Sequence, residues 1–167
     1  LSPAVRDQLK TVSTATLCTA LFKRGLRNQF IQDVRPLNPE GGTMVGEAFT
    51  LRYIPAREDL NPITVFQDPA HPQRQAIEQC PPGAVLVIDS RKDARAASAG
   101  SILVTPLMQR GGAGIVTDGG FRDSPEIARM AMPCCVPRNQ MIAATSSTST
   151  AASKPMRCGR PPSVPGR

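Results

Sequence analysis

The chain has no tryptophan, one tyrosine and one histidine, and its 167 residues include only five phenylalanines. So small an aromatic complement leaves few platforms on which nucleic-acid bases could stack. The lone histidine, His71, lies between Ala70 and Pro72 in a proline-rich stretch and reads as a solvated loop residue. With one such histidine, no Ser–His–Asp or Cys–His nucleophilic centre can be assembled. No apolar run approaches the roughly 20 residues that a membrane-spanning helix needs, so no membrane partner is expected. The five cysteines are odd in number, irregularly spaced and without a Cys-x-x-Cys pair. Neither a disulfide framework nor a zinc site is expected from them, and a reduced, cytoplasmic setting follows. The start, Leu1-Ser2-Pro3, has no initiator Met and no basic stretch leading into an apolar one. The chain is therefore read as a fragment without a secretory signal.

Acidic residues are missing from one end. Residues 134–167 hold Arg138, Lys154, Arg157, Arg160 and Arg167 and no Asp or Glu, which accounts for +5 of the net charge of +7. Residues 1–133 carry 15 basic against 13 acidic groups. The basic character thus belongs to the C-terminal stretch rather than to a folded face, which argues against a nucleic-acid partner. The same stretch contains the hydroxyl run Thr145–Thr150 and four prolines within 154–167. Residues 1–135 are accordingly read as one α/β domain, and 136–167 as a disordered tail.

Within 1–135 the pattern alternates. Ser2 before Pro3 and Ser13 before Thr14 are helix starts, and Gly25 closes a helix over about residues 14–24. Val45–Tyr53 alternates as a half-buried strand does, and 55–72 reads as a long surface loop. A short helix over Gln73–Gln79 precedes Ala84–Asp89, a continuous apolar run typical of a strand covered on both faces. Ser101–Arg110 then reads as a helix, Gly114–Thr117 as another buried strand, and Ser124–Met130 as a helix capped by Ser124 with Pro125 first. Such alternation predicts an α/β fold with parallel pairing.

Two constellations carry chemistry. In Asp118-Gly119-Gly120-Phe121-Arg122-Asp123-Ser124-Pro125-Glu126 a short apolar strand ends in glycines and delivers a guanidinium and carboxylates to one place. Arg122 can grip a carboxylate or a polarised ketone through its planar fork. Asp123 can hold a hydrated Mg²⁺, a hard cation that prefers oxygen ligands. Glu126 sits where a helix N-terminus favours negative charge, and a dipole-satisfying acid is its plain alternative. The second constellation is Gly100-Ser101-Ile102-Leu103, where a helix starting at Ser101 offers free amides to an anion and Gly100 permits close approach. Its plain alternative is a routine glycine turn. Gly111–Gly114 and Gly119-Gly120 match neither a phosphate loop nor a dinucleotide fingerprint.

Ala96-Ala97-Ser98-Ala99-Gly100-Ser101-Ile102-Leu103, Gly111–Gly114 and Asp118–Glu126 together resemble the family that unites the regulator of ribonuclease E activity A (RraA) with 4-hydroxy-4-methyl-2-oxoglutarate/4-carboxy-4-hydroxy-2-oxoadipate aldolases. Ser13-Thr14-Ala15-Thr16 fits as well, and the resemblance spans about residues 5–135. It implies a swivelling β/β/α-type domain assembled into homotrimers or hexamers. In the aldolase branch the residue matching Arg122 contacts the oxo acid, and that matching Asp123 anchors Mg²⁺ or Mn²⁺ largely through water. Backbone amides after the residue matching Gly100 receive the pyruvate carboxylate. The implied activity is a divalent-metal-dependent lyase that cleaves a 4-hydroxy-2-oxo acid to pyruvate or decarboxylates oxaloacetate. The implied alternative is a non-enzymatic regulator that binds and inhibits a ribonuclease E-type partner. Two departures stand out: Ser101 occupies a position where aldolase members commonly carry Asp, and the end of the chain lacks the family's Gly-rich continuation. A frameshift or truncation starting around residues 134–140 is the expectation for that end.

Overall fold

Two serines start the first two helices. In the computed structural model, which describes residues 1–138 apart from 56, 58, 61 and 94–96, Ser2 Oγ accepts from the Val5 amide at 3.3 Å and Ser13 Oγ from the Thr16 amide at 3.1 Å. They head α1 (Pro3–Lys10) and α2 (Thr14–Lys23), and Gly25 at φ +82° turns the chain out of α2. Neither helix buries a residue, and Phe22, Leu26, Phe30 and Ile31 are all exposed.

The sheet follows from the apolar runs. β1 (Val34–Pro36), β2 (Ala48–Arg52), α3 (Pro72–Gln79), β3 (Val85–Asp89), β4 (Ala97–Ala99), α4 (Ser101–Gln109), β5 (Gly114–Thr117), β6 (Gly120–Phe121), α5 (Ser124–Ile127) and β7 (Cys134–Pro137) come in that order. The five-stranded sheet runs β1-β7-β5-β3-β2, with β2, β3, β5 and β7 parallel and β1 antiparallel to β7. β4 and β6 form a separate parallel pair. The mixed α/β class read from the sequence is the fold observed. Central β3 and β5 place Leu86 and Ile115 at zero exposure, and Val104 and Leu107 of α4 and Ile127 of α5 are equally buried. Parallel strands need helical crossovers on their faces, which is why these two read as unbroken apolar runs.

Three local expectations shift. The long loop at 55–72 contains a 3₁₀ turn over Ile63–Gln67. The last helix ends at Ile127 rather than Met130, and its N-cap is Asp123, not Ser124. Ser124 is buried, and its hydroxyl donates to the Phe121 carbonyl at 3.0 Å. No helix among the described residues is long and apolar enough to cross a membrane. The expected tail, 136–167, starts too early: Val136 and Pro137 complete β7, with Val136 buried against the core, and the rest of it from residue 139 onward lies outside the described residues.

Candidate active site

Asp118 and Asp123, five residues apart, part company at the end of β5. The Asp118 carboxylate accepts from the Ser90 amide at 2.5 Å and the Lys92 amide at 2.9 Å. It thereby braces a turn in which Arg91 and Lys92 both take left-handed backbone angles. The chain then enters β6, pairs Phe121 with Ala99, and donates the Arg122 amide to the Ala99 carbonyl at 2.9 Å. That crossing lays Arg122 and Asp123 beside Gly100.

Asp123 adopts a left-handed conformation, φ 57° and ψ 31°, which Asp tolerates better than most residues. Its Oδ2 accepts from the Ser101 amide at 3.1 Å and the Ser101 hydroxyl at 3.3 Å. A Cβ on Gly100 would come within 2.9 Å of that oxygen and 3.6 Å of Arg122 Cβ, so the approach depends on glycine. Gly100, Ser101, Arg122 and Asp123 therefore share one place, built by the β4–β6 pair and the N-terminus of α4. The carboxylate completes the first turn of α4, where unpaired amides and the helix dipole favour negative charge.

The remaining expected residues lie around it. Ile102 is 81% exposed on the first turn of α4, and Leu103 is half-buried with its amide donating to the Gly100 carbonyl at 2.9 Å. Arg122 is exposed, and among the described residues its guanidinium has no hydrogen bond or ion pair. Glu126 is exposed in the first turn of α5 with its amide on the Asp123 carbonyl at 2.9 Å, and no described contact joins its carboxylate to Arg122. The first amide after Gly100, expected to greet an incoming carboxylate, is held by Asp123. The second, that of Ile102, sits in the same first turn. No group of three or more His, Cys, Asp or Glu converges among the described residues. A cation held by many protein ligands does not fit; one carried on a single carboxylate with its own water does.

Sequence reasoning missed the support beneath this site. Ser90, Ser98 and Thr117 are buried and joined: Ser98 Oγ lies 2.7 Å from Ser90 Oγ and 2.6 Å from Thr117 Oγ1, and Thr117 Oγ1 accepts from the Gly119 amide at 3.0 Å. A Cβ on Gly119 would meet Ser98 Oγ at 2.5 Å and Ser90 Cβ at 2.7 Å. Hydroxyls at the ends of β3 and β5 and in the middle of β4 were the available signal, but nothing in their spacing shows that they meet.

His71 corrects another expectation. It is buried at 6% exposure against Phe66, ring centroids 4.8 Å apart, and its Nδ1 accepts from the Gln73 amide at 3.3 Å as the cap of α3. Burial lowers its pKa from 6.5, with Asp68 opposing and Arg74 adding to the shift. The unfolded chain then takes up a proton at higher pH than the folded one, so stability is full above about pH 6.5 and falls as the pH drops through that value. Urea midpoints are expected to be lower at about pH 5.5 than at about pH 7.5. His71→Asn, which keeps a capping side chain, is expected to flatten that difference. An equal slope in both proteins would contradict the assignment.

Fold and site together define a mixed α/β domain whose functional groups gather where a glycine-preceded helix meets a strand-end Arg-Asp pair. The chain belongs to the RraA-like family, aldolase/RraA, which matches residues 14–166. That match runs past the boundary drawn at residue 135. A Halalkalibacterium halodurans protein named as a candidate 4-hydroxy-4-methyl-2-oxoglutarate aldolase is 30% identical over 160 residues, covering 95% of this chain and 68% of the relative. The crystal structure of Streptomyces coelicolor RraAS2, an unusual member of the RNase ES inhibitor RraA protein family, is 30% identical with a TM-score of 0.67. It covers 82% of this chain, while the chain spans 63% of that structure. The RNA-processing inhibitor RraA from a Thermus species shares the fold at a TM-score of 0.60 and 20% identity, covering 87% of this chain and 75% of that one.

Proposed function

We propose that this chain is the core of a divalent-metal-dependent oxo-acid lyase that releases pyruvate. The observation carrying the reading is the juxtaposition of an exposed, uncommitted Arg122 with Asp123 at the start of α4. In this reading Arg122 binds the oxo-acid end of the substrate through paired N–H groups. The first turn of α4 contributes the Ile102 amide and the helix dipole, with Ile102 and Leu103 flanking the substrate. Asp123 anchors Mg²⁺ or Mn²⁺ through its carboxylate, and Glu126 is an accessory acid on the rim. The cation, when bound, supplies Lewis-acid stabilisation of enolate charge.

Ser101 decides between two reactions. Retro-aldol cleavage requires a base to remove the proton of the 4-hydroxyl group. The Ser101 hydroxyl is engaged with Asp123 and is no such base near neutral pH. Decarboxylation of a 2-oxo dicarboxylate needs none: the bond to the departing carboxylate breaks, its electron pair enters the enolate, and solvent returns a proton to carbon. Oxaloacetate-type substrates are therefore favoured over 4-hydroxy-2-oxo acids. Assembly into homotrimers or hexamers belongs to the same proposal and is supported by exposed Phe22 of α2, by Leu26, Phe30 and Ile31 that follow it, and by Ile102.

The test is pyruvate release from oxaloacetate and from a panel of 4-hydroxy-2-oxo acids, with Mg²⁺ and with chelator. Release above the metal-only blank that chelator abolishes is expected, greatest with oxaloacetate. Rates equal to the blank for every compound would overturn the reading. The second reading, a regulator of a ribonuclease E-type enzyme, draws support from the likeness to the Streptomyces RNase ES inhibitor family member. Inhibition of such a nuclease by stoichiometric protein, without pyruvate release, would favour it.

A further inference from the structure

The carbonyl of Ser98 is held by two side chains from distant parts of the chain. β4 advances two residues, Ala97 to Ala99, while β6 advances one, Gly120 to Phe121, so Ser98 is the extra residue of a bulge. A bulged residue loses its place in the ladder, and its buried carbonyl must find another donor. Tyr53 Oη donates to it at 2.7 Å and Gln73 Nε2 at 3.1 Å, and Gln73 Nε2 also reaches Tyr53 Oη at 2.8 Å. Tyr53 and Ser98 are buried at 5% and 1% exposure. The Ser98 hydroxyl is pinned separately by Ser90 and Thr117. Two residues beyond Ser98 the chain reaches Gly100, and then Ser101, whose amide and hydroxyl meet Asp123.

We propose that Tyr53 and Gln73 are positioning residues: by locking the Ser98 carbonyl they fix the bulge that aims Ser101 at Asp123, and so set the geometry that receives the oxo acid. The kinetic consequence rests on the lyase reading, while the structural one rests on the bonds alone. No described contact joins Tyr53 or Gln73 to Arg122 or Asp123. Tyr53 comes from the exit of β2 and Gln73 from the first turn of α3, which His71 caps. Removing their polar ends therefore leaves every charge of the site in place and changes its aim alone. Burial raises the Tyr53 phenol above its ordinary value of 10, which keeps it a hydrogen-bond donor throughout the working pH range.

Amide hydrogen exchange and kinetics in Tyr53→Phe, Gln73→Leu and the double variant test this. In the double variant, exchange at Ser101 is expected to speed up roughly tenfold, the order set by loss of one or two buried hydrogen bonds. Leu86, Ile115 and Val116 in β3 and β5 are expected to keep their wild-type rates. KM for oxaloacetate is expected to rise by about the same factor with kcat within about twofold. Asp123→Asn serves as the reference for a weakened Ser101 contact. Unchanged exchange at Ser101 in a folded double variant would overturn the proposal, as would acceleration shared equally by β3 and β5. If the wild type releases no pyruvate while Ser101 exchange still responds selectively, the lyase reading fails and the positioning role stands. If pyruvate is released but neither KM nor Ser101 exchange moves, the positioning role fails and the lyase reading stands.

Discussion

Arg122→Ala is expected to lower kcat for pyruvate release by about 100- to 1000-fold, the range typical for loss of one preorganised donor at a developing oxyanion. The side chain is exposed and touches no described partner, so its removal is expected to leave the thermal midpoint within about a degree of the wild type. Arg122→Lys is expected to recover little of the loss, because an ammonium cannot reproduce the two-pronged donation of a guanidinium. Asp123 separates two roles that alanine would confound. Asp123→Asn keeps an oxygen for the Ser101 amide and hydroxyl, yet removes the charge that would anchor a cation. Its fold is expected to survive while the Mg²⁺ concentration for half-maximal rate rises at least about tenfold. Steady-state titrations of metal and substrate on the three variants measure these outcomes. Full activity in Arg122→Ala would remove the residue from the site.

Gly100→Ala is the second large effect. Its new methyl group would lie 2.9 Å from Asp123 Oδ2, closer than side chains pack, with Arg122 Cβ at 3.6 Å. Something must give. Gly100 has φ −131° and ψ 178°, an extended conformation that any residue adopts, so the strain is one of space and not of backbone angle. The cheapest relief is rotation of the Asp123 carboxylate away from Ser101, which opens the site without unfolding it. A displacement on the order of 1 Å is expected to cost about 100-fold in kcat/KM. Circular dichroism distinguishes this from misfolding: a native-like spectrum with the activity lost supports close approach at Gly100. Retention of wild-type kcat/KM would place the reacting groups elsewhere.

Much of the domain was legible because its signals were local. Ser2 and Ser13 announce two helices, Gly25 ends one, and the unbroken runs Val85–Asp89 and Gly114–Thr117 are the central strands they resemble. What escaped was small or non-local. β4 is Ala-Ser-Ala and β6 is Gly-Phe, too short for any periodicity to register, although they are the pair that brings Arg122 to Gly100. Ser124 resembles a helix cap, but the left-handed turn at Asp123 moves the cap one residue earlier and sends the Ser124 hydroxyl inward. His71 resembles a solvated loop residue because proline and alanine flank it, and only packing against Phe66 makes it an interior group. The Arg-Asp pair and the glycine preceding α4 were both visible in the sequence. That Asp123 would occupy the first amide of α4 was not, since it depends on the pairing of Ala99 with Phe121, twenty-two residues apart along the chain.

The central claim is that Arg122, Asp123 and the first turn of α4 act on one ligand. An amide chemical-shift titration with oxalate, a planar dianion shaped like a pyruvate enolate, in the presence of Mg²⁺ tests it most directly. Saturable shifts at Ser101, Ile102 and Leu103 together with Arg122, Asp123, Ser124 and Glu126 are expected, and Arg122→Ala is expected to abolish them. Shifts confined to other parts of the sheet, or unaltered by Arg122→Ala, would contradict the account.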